Sequence, residues 1–328
     1  MSQTTTTASP ADLGTGELAR GLVPSFRALF ETTKPRLTRL VAITALMGLA
    51  IGLLRAGVTD VGVALWTALT CVLGTACCAA SANTLNQYTE RALDRRMQRT
   101  SGRPLPSGRL TPASVLRFGL LAGAFGGVVL ALAAGWIAAA IGVLSIAIYV
   151  LIYTPMKTRT PWCTLVGAVP GALPPLIGWA AAAQASTTHG LEPIGWLGGW
   201  SLVGLMVVWQ MPHFWAIAWM YRDDYAAGGF RVLPAIDRDG QRTARSIRLW
   251  SLGLIPASLL PWWAMPDLIG PAYAVAAIVM GVLFVLAGLR VAESRAKRDA
   301  RRLFFASIAY LPLLLAVLAA DAAWTALV

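Results

Sequence analysis

Three oxygen-bearing side chains, Asn86, Glu90 and Asp94, recur at four-residue intervals in the stretch Asn83-Thr-Leu-Asn-Gln-Tyr-Thr-Glu-Arg-Ala-Leu-Asp94. On an α-helix each such step drifts by about 40°, so the three lie along one face. An amide and two carboxylates on one face suit a hard cation such as Mg²⁺, which keeps several waters and is shared with substrate phosphates. Arg91, Arg95, Arg96, Arg99 and Arg103 surround them, and guanidinium groups pair readily with phosphate. The plain alternative is a solvated helix face on which carboxylates pair with arginines.

A second acidic pair, Asp223 and Asp224, stands in Tyr221-Arg-Asp-Asp-Tyr225. Adjacent helical residues point in different directions, so one of the two is expected to face a metal. A third group, Lys157 and Arg159 in Tyr153-Thr-Pro-Met-Lys157-Thr-Arg159, offers point charges for a diphosphate. The same residues also serve as ordinary topology signals at a membrane surface. Two acidic sites with Lys and Arg together point to Mg²⁺ and a diphosphate. The reaction class that follows is prenyl transfer, in which metal and cations stabilise the leaving diphosphate beside a water-poor cavity.

The elements that must position these groups are membrane helices. The chain has 328 residues, 57% of them hydrophobic and only 13% charged, with mean hydropathy +0.64. A soluble domain carries roughly a quarter charged residues. About nine stretches are long and apolar enough to span a bilayer: Leu37–Leu54, Val61–Ala82, Phe118–Ala134, Ile137–Tyr153, Thr164–Ala183, Gly195–Met220, Leu249–Met265, Pro271–Val291 and Leu303–Ala320. The turn between the third and fourth is expected at Gly135-Trp136. In lipid the backbone must bond within each segment, so the fold class is an all-α transmembrane bundle, and Pro170, Pro174, Pro175 and Pro212 predict kinks.

The net charge of +12 lies between apolar runs, on alternate loops. That is a topology signal and not a nucleic-acid footprint; it predicts a cytoplasmic N-terminus, with the acidic motifs and a central cavity opening on the cytoplasmic face. Residues 1–30 read as a disordered polar tail without a signal peptide, and residues 31–328 as the transmembrane domain. Cys71, Cys77, Cys78 and Cys163 lack zinc spacing and read as small buried hydrophobes. The two longest polar loops, after the second and sixth spans, both open on acidic residues and soon reach proline, a weak sign of related halves.

These stretches resemble the UbiA-type intramembrane prenyltransferases, and among them the branch that farnesylates protoheme IX. The likeness rests on Asn86-Gln-Tyr-Thr-Glu90 through Thr100 with Arg103-Pro-Leu-Pro-Ser-Gly-Arg109, and on Tyr153 through Thr160 with Gly171-Ala-Leu-Pro-Pro-Leu-Ile-Gly-Trp-Ala-Ala181. It rests also on Trp209-Gln-Met-Pro-His-Phe-Trp215 with Arg222-Asp-Asp-Tyr225 and Val232-Leu-Pro234. The first motif speaks for a polyprenyl diphosphate site; the Pro-Pro-x-x-Gly-Trp and Trp-Gln-x-Pro-His-Phe stretches are more specific to the heme branch. The likeness runs from Thr33-Lys-Pro-Arg36 to the last span.

The resemblance implies that Asn86, Glu90, Asp94, Asp223 and Asp224 hold Mg²⁺, with Glu90 where many relatives have Asp. It implies that Lys157, Arg99, Arg103 and Arg159 grip farnesyl diphosphate, and that His213 and Trp209 meet the protoheme. Phe214, Trp215 and Trp179 are further candidates to pack on the macrocycle. A histidine within a span is a functional candidate by default, although it could also bond a carbonyl freed by Pro212. The implied product, heme O, points to a bacterial cytoplasmic membrane and to a downstream heme O oxidising enzyme as partner. A quinone-precursor or chlorin prenyltransferase, or a secondary transporter, are the other readings; clustering of the carboxylates at one face and not at the midplane disfavours transport.

Overall fold

The computed structural model describes residues 25–186 and 197–327, and among these every regular element is a helix. His189 and most of the expected tail lie outside the described residues. A short helix, α1 (Phe26–Thr32), precedes the first span, so the chain is already helical before residue 30. The bundle follows as α2 (Pro35–Arg55), α3 (Val61–Asp94), α4 (Pro112–Val129), α5 (Trp136–Ala147), α6 (Cys163–Ala172), α7 (Pro174–Ala185) and α8 (Leu197–Met220). Two short helices, α9 (Arg222–Ala227) and α10 (Leu233–Ile236), lead to α11 (Gln241–Ala264), α12 (Pro271–Ser294) and α13 (Lys297–Leu327).

Eight helical segments among the described residues are long and apolar enough to cross a membrane. The protein is a multi-pass membrane protein. The expected span Leu249–Met265 falls mostly in the second half of α11 and is not among the eight, because Trp250, Pro256, Pro261, Trp262 and Trp263 make it less apolar than the others. Gly135, at φ 95, makes the turn predicted between the third and fourth spans. The helices on either side end in π-helical turns, Leu130–Ala134 and Ile148–Tyr153. The second of these carries the chain to Lys157.

The layers of the bundle follow from side-chain size. Lipid tails are as apolar as leucine, so interhelical packing relies on close backbone approach. A Cβ on Gly178 would fall on the Ala45 carbonyl oxygen of α2, and one on Gly48 would collide with the Pro175 carbonyl of α7. This pair of glycines lets α2 and α7 touch backbone to backbone. Residues 174–182 are buried without exception, which makes α7 the centre of the bundle. By contrast α4 and the π-helical turn after it point Leu120, Leu121, Phe125 and Leu132 outward, as a lipid-facing helix must. Of the prolines predicted to kink, Pro174 and Pro175 follow the break at Leu173, where α6 ends and α7 begins; Pro170 lies within α6 and Pro212 within α8, and both helices continue past them. The Gln210 side chain of α8 reaches across to donate to the Ala168 carbonyl (3.3 Å), satisfying backbone beside that break.

All four cysteines are free, and Cys71, Cys78 and Cys163 are buried, as expected of small apolar side chains.

Candidate active site

The last turns of α3 carry Asn86, Glu90 and Asp94 on one face, as their spacing requires. All three are buried, at 1%, 4% and 2% exposure. Buried carboxylates need partners, and each has one from a different part of the chain. Lys157, beyond the end of α5, places Nζ 2.8 Å from Glu90 Oε1 in an ion pair that lacks the alignment of a hydrogen bond. Arg103, in the loop after α3, donates from Nη1 to Asp94 Oδ2 at 2.7 Å. Asn86 Nδ2 donates to Thr154 Oγ1 at 3.0 Å.

A residue absent from the sequence-based set completes this cluster. Lys34 sits immediately before α2, in the left-handed region at φ 50, and its Nζ donates to Asn86 Oδ1 at 3.5 Å. Burial, together with the positive charges of Arg103 and Lys157, pulls its ammonium down to about 7 against the opposing pull of Glu90 and Asp94. Burial also opposes the charge on Lys157, yet Glu90, Tyr153 and Tyr149 hold that ammonium well above its ordinary value. The one available signal for Lys34 was the Lys-Pro pair opening a span. It reads as a topology charge until the fold brings it against Asn86.

The second acidic motif divides. Asp224 accepts the backbone N–H groups of Gln98 (2.7 Å) and Arg99 (3.3 Å), pinning the loop that follows Asp94. Asp223 points elsewhere, to Lys297 (3.2 Å) and Arg222 (3.6 Å), and is exposed. Successive residues of α9 differ by about 100°, so the two cannot serve one face. In this structure Asp223 therefore stands apart from Asn86, Glu90 and Asp94, and Asp224 meets the loop that follows Asp94. Arg99 spreads over the rings of Tyr221 and Tyr225, at 5.3 and 5.5 Å, and donates to the Tyr225 hydroxyl. Arg159 is exposed near the same surface. The two long polar loops thus meet, and Met97 packs against Gly228 where they do.

The donor set fits a hard cation on α3 alone. Its three oxygen-bearing groups are buried and aligned, and their present partners are cations that a metal could replace. Among the described residues no three acidic, histidine or cysteine side chains converge on a single metal position.

Beneath this cluster lies a cavity of about 1110 Å³ of empty space, part of it open to the surroundings. Asn83, one turn before the acidic face, and Tyr149 and Tyr153, two turns and one turn before Lys157, line it on that side. Trp209, Gln210, His213 and Phe214 of α8 line it as well. His213 stacks between Trp209 and Phe304, with ring centroids at 5.2 and 5.1 Å. Its Nδ1 lies 2.6 Å from Ser307 Oγ, and not on a carbonyl freed by Pro212. The Ser307 hydroxyl also lies 2.6 Å from the Phe304 carbonyl, which holds it beside the imidazole. Trp209 Nε1 donates to the Ser307 carbonyl and fixes the same corner. Trp179 is wholly buried against Gly198 and Gly199, outside the cavity, and Trp215 faces away on the far side of α8, so neither meets a ligand there.

A buried, charge-paired acidic face above an apolar, aromatic cavity is the arrangement to compare with known proteins. Residues 41–309 match the UbiA prenyltransferase family. A protoheme IX farnesyltransferase from Solibacter usitatus is 41% identical over 298 residues, covering 90% of this chain and 98% of the relative. In fold the chain is similar to a digeranylgeranylglyceryl phosphate synthase (TM-score 0.70, 16% identity, 90% of this chain and 98% of that one). It is similar also to a UbiA homolog from Archaeoglobus fulgidus bound to DMAPP and Mg²⁺ (TM-score 0.54, 18% identity, 86% and 98%). With the family matched over most of its length and a relative this similar across nearly the whole of both chains, the protein belongs to the UbiA prenyltransferase family.

Proposed function

We propose that the protein transfers the farnesyl group of farnesyl diphosphate to a vinyl group of protoheme IX, with addition of water, giving heme O and diphosphate. The observation that carries this reading is the position of Glu90, Asp94, Lys157, Arg103 and Lys34 at the head of the Trp209–His213 cavity. The diphosphate lies among the cations, and the polyprenyl chain and the flat acceptor share the apolar space below. Each buried CH₂ of the chain contributes about 0.8 kcal/mol. The name of the Solibacter relative supports the choice of acceptor.

Asn86, Glu90 and Asp94 are the residues that hold Mg²⁺, with Asp224 fixing the loop beside them. The bound ion supplies charge stabilisation to the departing diphosphate. Lys34, Lys157 and Arg103 exchange their carboxylate partners for phosphate oxygens, and Arg99 and Arg159 extend the basic rim. Dry walls protect the allylic cation until the vinyl group attacks, and water then traps the resulting cation. His213, on the cavity wall between Trp209 and Phe304, would touch the porphyrin or its iron. By the positive-inside rule the basic loops support a cytoplasmic N-terminus and site; the product would pass from a bacterial inner membrane protein to a heme O oxidising enzyme.

The test is mass spectrometry of heme extracted from membranes incubated with protoheme and farnesyl diphosphate. Heme O forms with the wild type and is lost in Asp94→Ala, while the variant remains inserted. Diphosphate release without a heme product would move the acceptor to a quinone precursor or chlorin; no release at all would sink the transferase reading.

A further inference from the structure

The Trp209–Trp215 stretch has a second face. Met211 lies about 200° around α8 from both Trp209 and His213, so it points away from the reaction cavity. Together with Trp215 it lines a separate crevice of about 740 Å³ of empty space, part of it open, between α6, α8 and α11. Trp215 and Trp250 meet edge to face across it, with ring centroids 6.2 Å apart. Trp162, itself 70% exposed, stands at its rim.

The crevice is graded in polarity. Arg242, Ser246 and Trp250 follow one another at four-residue steps on α11 and all line it. Over those eight residues the helix rises about 12 Å. The sequence along this wall therefore passes from a guanidinium through a hydroxyl to an indole. Arg242, in the first turn of α11, is exposed and makes no ion pair among the described residues. The positive end of the helix reinforces its charge. On the opposite wall Trp215 lies nearer the loop end of α8, and Met211 one turn deeper.

We infer that this crevice is a site for an anionic phospholipid, with its phosphate on Arg242 and Ser246 and its first acyl segment lying between Trp215, Trp250 and Met211. A membrane supplies such amphiphiles with head and tail in this order. The unpaired arginine at the surface end selects the anionic ones. The site lies on the face of α8 opposite His213, so lipid bound there braces the helix that carries the proposed porphyrin contact without competing for the cavity.

Native mass spectrometry of the full chain tests this. The delipidated protein is offered equal amounts of phosphatidylglycerol and phosphatidylcholine with the same acyl chains. The wild type should retain phosphatidylglycerol in at least about fivefold preference, and Arg242→Gln should remove about that factor. Arg242→Lys should keep most of it. Arg245→Gln removes the same charge from a residue outside the crevice and should change nothing, and Trp250→Ala should lower retention of both lipids. Equal retention of the two lipids by the wild type overturns the proposal, as does equal loss in Arg242→Gln and Arg245→Gln. Displacement of the lipid by inorganic phosphate would make this a small-anion site, and displacement by protoheme an acceptor site. Either result also overturns it.

Discussion

Glu90 and Lys157 are joined by a 2.8 Å ion pair that ties the end of α3 to the turn after α5 across 67 positions of sequence, and both side chains are almost fully buried. A buried carboxylate whose only cation is removed is left as an uncompensated charge. The pair therefore has two roles, one in stability and one in binding, and they separate under mutation.

Lys157→Ala should raise KM for farnesyl diphosphate about 10- to 100-fold, the loss of one charge-assisted contact. It should also lower the melting temperature by stranding Glu90. Adding Glu90→Gln to Lys157→Ala should restore much of the melting temperature without restoring activity. Kinetics and thermal unfolding of the two variants check this; recovery of activity in the double variant would remove both residues from the site.

Lys34 holds a left-handed backbone conformation that costs a non-glycine residue about 1 kcal/mol. Strain of this kind persists where the side chain has work to do. Lys34→Gly should therefore be more stable than Lys34→Ala by about that amount. Both should lose at least about tenfold in kcat/KM for farnesyl diphosphate. Equal kinetics for wild type and both variants would make Lys34 a structural cap only.

The two neighbouring aspartates should differ sharply. Asp224→Ala releases the Gln98 and Arg99 amides and frees the loop after Asp94, so turnover should fall at least about tenfold. Asp223→Ala breaks only exposed pairs with Lys297 and Arg222 and should stay within about twofold of wild type. The reverse order would show that Asp223 swings into the site when substrate binds.

His213→Ala should change the absorption spectrum of bound protoheme and lower product formation, with farnesyl diphosphate binding intact. Ser307→Ala removes the hydrogen-bond partner of Nδ1 and should give a smaller spectral change in the same direction. An unchanged spectrum in both, with reduced thermal stability, would leave the histidine as a packing group.

Much of this protein was legible in its residues. Apolar runs of span length and the alternation of arginine-rich with uncharged loops dictated a helical membrane bundle, because lipid permits no other backbone solution for such segments. Four-residue spacing put Asn86, Glu90 and Asp94 on one face, because helix geometry is local. Gly135 marked its turn for the same reason. Tertiary structure decided what local rules could not. The Lys34–Asn86, Lys157–Glu90 and Asp224–Gln98 contacts join residues 52, 67 and 126 positions apart, and no periodicity encodes which cation meets which carboxylate. Asp223 and Asp224 look equivalent in the chain; only the docking of α9 turned one toward the loop after Asp94 and the other toward Lys297. Trp179 and Trp209 read alike as aromatic candidates, until close packing sealed one under Gly198 and Gly199 and left the other on the cavity wall. The partner of His213 Nδ1 is a serine on the last helix, 94 residues away, a contact that exists only once α8 and α13 are packed.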